Sequence, residues 1–141
     1  YVVGTDVSDF AAKAERVLRE RGIRGVTVRA HEPVPATRLD PAAPVVRAAE
    51  VSIAETVGRE PAVEPNLGGT IPNAVFADQL GLPTVWIPHS PPGSNQHAPD
   101  EHALASVLRE GLRIMAGVFW DMGERPEQWF RTGPDRPGIR G

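Results

Sequence analysis

Four histidines are the side chains best suited to hold a metal ion in this chain, which has no cysteine. His97 stands out by its setting. It lies in Ser94-Asn95-Gln96-His97-Ala98-Pro99-Asp100-Glu101-His102, between a short apolar run and a long amphipathic segment. Loops at such places carry functional groups disproportionately often. A neutral imidazole ligates zinc at about 2.0–2.1 Å while its other nitrogen donates to a neighbouring acceptor. Taken alone, a loop histidine is more often a plain polar residue. His102 follows five residues later, outside the i, i+4 spacing that puts two ligands on one helix face. It is therefore expected to be a helix-surface residue. Asp100 and Glu101 are expected to serve the helix start, where negative charge meets the positive end of the dipole. His89 directly follows the apolar run and could face a crevice. His31 alternates with apolar residues and is expected to point outward.

A second constellation is Gly68-Gly69-Thr70. Such a turn can bring backbone amides to an anion, with the Thr70 hydroxyl as a further donor. The flanking spacing of a P-loop is absent, and so is Gly-x-Gly-x-x-Gly. No Gly-x-Ser-x-Gly elbow occurs either, so a serine hydrolase would lack its nucleophile.

The elements that must position these groups follow from periodicity. Residues 1–3 are β-prone. A helix is expected over residues 7–21, capped by Thr5 or Asp6 and stopped at Gly22. Val26, Val28 and Ala30 alternate with polar residues as in a half-buried strand. Residues 32–44 hold four prolines and are expected to link two structural units. A second helix spans residues 42–57, with Val45, Val46, Ala49 and Ile53 on one side and Gly58 at its end. A short strand over 62–66, the glycine turn, a helix over 72–80 and a buried strand over 84–87 come next. A long helix covers residues 100–122, where Leu104, Val107, Leu108, Leu112, Met115 and Phe119 give a continuous apolar face. From Arg125 on, Pro, Gly and Arg predict a flexible tail. The order predicts an α/β fold, a sheet covered by helices, with ligands beyond the carboxyl ends of the strands.

The bulk numbers exclude several classes. The chain has 141 residues and a net charge of −3, with basic residues scattered, which argues against nucleic acid as a partner. No apolar run approaches the ~20 residues of a membrane span. The absence of cysteine excludes thiolate zinc sites and fits a cytoplasmic protein. The opening Tyr1-Val2-Val3 has the character of a strand interior, so the sequence is expected to be a truncated piece.

Pro65-Asn66-Leu67-Gly68-Gly69-Thr70-Ile71-Pro72, followed by Gln96-His97-Ala98-Pro99-Asp100-Glu101, resembles the C-terminal signatures of a zinc-dependent family. That family comprises the aminoacylases, acetylornithine deacetylases, succinyl-diaminopimelate desuccinylases and carnosinase-type dipeptidases. The resemblance covers roughly residues 42–123. It implies that residues 41–124 are the C-terminal part of a catalytic domain, that residues 1–40 are the closing β-α-β of an α+β lid and dimerisation domain, and that 125–141 are tail. It implies two zinc ions, or other divalent metals, that polarise an amide carbonyl and activate water in hydrolysis of a small peptide or N-acyl amino acid. His97 resembles the last metal ligand, and Gly68, Gly69 and Thr70 resemble the turn that holds the substrate's carboxylate end. A homodimer through the lid is implied as well. The family's His-x-Asp motif and its adjacent Glu-Glu pair, which carries the general base, are absent, so both are expected upstream of Tyr1 and the piece alone is expected to be inactive. Asp100 stands where asparagine is usual, and Leu67 stands where carnosinase-like members have glutamate. The competing expectation is a non-catalytic α/β module that binds a small ligand or regulates, or a pseudoenzyme.

Overall fold

The structure, a computed structural model, describes residues 2–31, 34–69 and 71–130. Its elements are α1 (Phe10–Glu20), α2 (Pro44–Val57), a π turn (Val75–Gln79), a 3-10 turn (Pro92–Ser94), α3 (Ala105–Glu124) and α4 (Pro126–Trp129). The chain forms two compact units. One holds the residues up to Arg38 and those from Asn66 to Thr84; the other holds Leu39–Pro65 and the residues from Val85 on.

The expected α/β architecture is overturned: the described residues contain helices and no strand. Among the described residues no β-ladder joins the segments expected as strands, and Val3 lies in a turn. Val28 N–H, for example, donates to the Glu15 carboxylate at 3.0 Å rather than to a neighbouring strand. Around residues 84–87 the nearest backbone pairing is that of Leu82 N–H with Phe76 C=O. Alternation of apolar and polar residues records which side of an extended segment is buried. It does not supply a second strand to pair with.

In the first unit, α1 begins later than expected. Asp9 adopts φ 54° at its N-terminus, and neither Thr5 nor Asp6 caps it. Asp6 instead accepts from Ser8 N–H at 2.9 Å and from Lys13 Nζ at 2.6 Å, tying the preceding turn to the helix. No residue of α1 is buried. The helix expected over 72–80 is present over residues 73–79, and its Val75–Gln79 part is π, closed by Leu80 N–H to Val75 C=O.

The second unit contains the core. Proline at the first turn of α2 needs no backbone partner there. Val46, Ala48, Ala49 and Ser52 of α2 are buried; of the residues expected on this face, Val46 and Ala49 are buried and Val45 and Ile53 half-buried. Gly58 ends the helix at φ 75°, a conformation that costs glycine little, with its N–H on Ala54 C=O at 2.8 Å. Ala48, Ala49, Ile114, Val118 and Trp129 form the buried cluster, and Val45, Ile53, Val57, Val85, Ile87 and Met122 pack against it. Burying each large aliphatic side chain contributes about 1.5–3 kcal/mol.

α3 turns a different face inward from the one its sequence suggests. Gly111, Ile114 and Val118 are buried. Leu104, Leu108, Leu112 and Phe119 are 42, 53, 73 and 67% exposed. The helix is apolar around more than half its circumference, and α2 covers only one side. Glycines set that choice. A Cβ on Gly111 would stand 2.7 Å from the ring of His89, and one on Gly117 would collide with the Thr56 hydroxyl. Close approach therefore occurs along the glycine side of α3. Arg59 adds two hydrogen bonds to Glu110, at 2.6 and 3.1 Å, and Arg113 donates to Thr56 C=O at 3.0 Å. In the segment expected as tail, α4 places Trp129 in the core, only 4% exposed. Residues 131–141 lie outside the described residues.

Candidate functional site

The loop that carries His97 is built on Ser94. This serine ends the 3-10 turn and is 2% exposed. Its hydroxyl donates to Pro91 C=O at 2.8 Å and lies 2.9 Å from the Ser90 hydroxyl. Its own carbonyl accepts from His102 N–H at 3.0 Å, which draws the two ends of the loop together. Three residues between these anchors take left-handed backbone: Asn95 at φ 54°, His97 at φ 62° and Asp100 at φ 63°. Asn, Asp and His are the side chains that enter that region most readily, so the sequence suits the path.

His97 is exposed at the turn. Its backbone N–H donates to a Glu101 carboxylate oxygen at 3.3 Å. Its imidazole makes no hydrogen bond among the described residues. Neighbouring groups have other tasks than those expected. Asp100, Glu101 and His102 precede α3 rather than start it, because the left-handed Asp100 cannot continue a helix. Glu101 steadies the His97 backbone, and a His102 ring nitrogen lies 3.0 Å from Asp100 C=O. The anchoring role of Ser94 and the Glu101–His97 contact were not legible from residue types, since both depend on the turn geometry.

His89 does not face an open crevice. It is half-buried, its Nε2 is inaccessible and has no partner among the described residues, and its ring lies on Gly111. His31 is exposed, as alternation predicts.

Gly68 and Gly69 are exposed, and a Cβ on Gly68 would meet nothing within 4 Å. Gly68 has no positive φ, so no tight left-handed turn forms at it. Beside the pair, the Asn66 side-chain oxygen accepts from the Arg38 guanidinium. Thr70 lies outside the described residues. The glycine pair belongs to the first compact unit and His97 to the second.

Among the described residues, no group of three or more His, Asp and Glu side chains could hold a metal ion. A structural zinc takes four ligands and a catalytic zinc three protein ligands with an open position. His97 fits as one ligand of such a set, and the described residues do not fit as the whole set.

Electrostatic perturbation lies elsewhere. The Arg59 guanidinium holds the Glu110 carboxyl below the ordinary carboxylate range. Asp121 is lowered first by the Ser52 hydroxyl and then by Arg125, which also binds Glu55 at 3.0 Å. The Arg125–Asp121 pair is short, at 2.6 Å, whereas the buried Ser52 hydroxyl has no well-formed hydrogen bond among the described residues. Lys13, then Ser8, lowers Asp6 to about 2. Lys13–Asp6 ties a turn to α1, while Arg59–Glu110 and Arg125–Glu55 link the α2 segment to α3 and its end. No helix among the described residues is long and apolar enough to cross a membrane. Comparison with protein-family models, with curated proteins and with solved structures finds no match to this chain.

Proposed function

We propose that this chain is the C-terminal part of a metal-dependent amidohydrolase resembling the aminoacylase, deacylase and dipeptidase family, to which it contributes His97 as a single metal ligand. The observation that carries the reading is the state of that imidazole. It is exposed, its ring nitrogens bond none of the described residues, and the loop around it is held by the Ser94 carbonyl and the Glu101 carboxylate. His102, by contrast, has a ring nitrogen 3.0 Å from Asp100 C=O. The ordered pair of motifs around Gly68-Gly69-Thr70 and His97 supports the same reading. A zinc ion in such enzymes polarises the scissile carbonyl and lowers the pKa of bound water. The remaining ligands and the general base belong to residues outside these 141. The substrate class is a small peptide or N-acyl amino acid.

The test uses the longer protein that this reading requires. Its zinc content is measured alongside hydrolysis of a panel of N-acyl amino acids and dipeptides. His97→Ala is expected to weaken zinc binding by at least about 10–100-fold, more than loss of an outer-shell partner does. Unchanged metal content and turnover in that variant would overturn the assignment. The 141-residue chain alone is expected to show no zinc-dependent hydrolysis, and efficient turnover by it would overturn the reading of an incomplete site.

A further inference from the structure

We draw no further inference here: the strongest candidate, the exposed apolar stripe of Leu104, Leu108, Leu112 and Phe119 along the outer face of α3, carries none because nothing in the structure shows what covers it.

Discussion

The helical cluster of α2, α3 and α4 and the loop that carries His97 belong to one compact unit but are held by different physics. The cluster is held by shape. Small residues on α2 and the glycines of α3 allow close approach, and Trp129 fills the remaining space. The loop is held by bonds. Ser94 and Glu101 fix its path, and nearly all its residues stay exposed. In the other unit, α1 resembles the loop in this respect, since it buries nothing and leans on the Lys13–Asp6 ion pair. The lesson concerns cost. A packed region suffers when volume changes, whereas a bonded exposed region suffers when backbone conformation or charge changes. A binding group belongs in the second kind, because its side chain stays free.

The largest expected effect falls on the cluster. Trp129→Ala removes its most voluminous buried side chain, and large-to-small changes of this type cost about 3–5 kcal/mol. That is a large share of the ~5–15 kcal/mol that stabilises an ordinary domain. Chemical denaturation followed by circular dichroism should show a strongly lowered midpoint, or loss of the α2–α3 helicity altogether. A shift below about 1 kcal/mol would show that the cluster is not held by packing.

Gly111→Ala sharpens the point because two effects oppose each other. Alanine in a helix interior is favoured over glycine by about 1 kcal/mol. Here its Cβ would stand 2.7 Å from the His89 ring, and such overpacking costs about 1–3 kcal/mol. The single change is expected to destabilise. In a His89→Ala background the clash is gone, and the same change is expected to stabilise. A double-mutant cycle reads the sign reversal. Equal effects in both backgrounds would mean that the ring does not set the approach.

How much of this was legible varies by element. α2 was readable because one face of apolar residues and a terminal glycine point the same way, while Pro44, which starts the helix, counts among the prolines expected to form the preceding loop. α3 was readable as a helix but not in its orientation. Its apolar arc is wider than its contact, and the deciding residues were Gly111 and Gly117, which carry no hydropathy signal. The sheet was misread because Val85 and Ile87 satisfy their apolar character against helices, leaving their alternation without a ladder. His97 was placed correctly on a loop, yet the residues that hold it, Ser94 and Glu101, act through backbone groups that no motif records.

A smaller effect tests the polar side of the comparison in α1. Asp6 has its carboxyl lowered from 3.8 to about 2 by Lys13 and Ser8. A lowered folded-state value means that the contribution is present above the unfolded value and is lost as pH falls through the folded one. The Ser8 amide resonance, whose N–H donates to Asp6, should therefore titrate with a midpoint near 2. In Lys13→Ala the midpoint should move back up toward 3.8. A wild-type midpoint already at 3.8 would remove the ion pair from the account.

The smallest expected effect separates the fold from the function at His97. Its backbone sits at φ 62°, a region that costs a side-chain-bearing residue roughly 1–2 kcal/mol and glycine much less. His97→Gly relieves that cost in the folded loop but frees the unfolded chain, and the two offset to within about 1 kcal/mol. His97→Val adds a β-branched side chain that fits the left-handed region worst. Thermal midpoints of the 141-residue chain should therefore rank glycine at or above histidine, with valine lowest. On the proposed ligand role of His97, both variants should weaken zinc binding equally in the longer protein which that role requires. If valine were as stable as glycine, the loop would not hold His97 in this conformation. If stability and metal binding fell together across the series, the imidazole would be serving the loop rather than a metal.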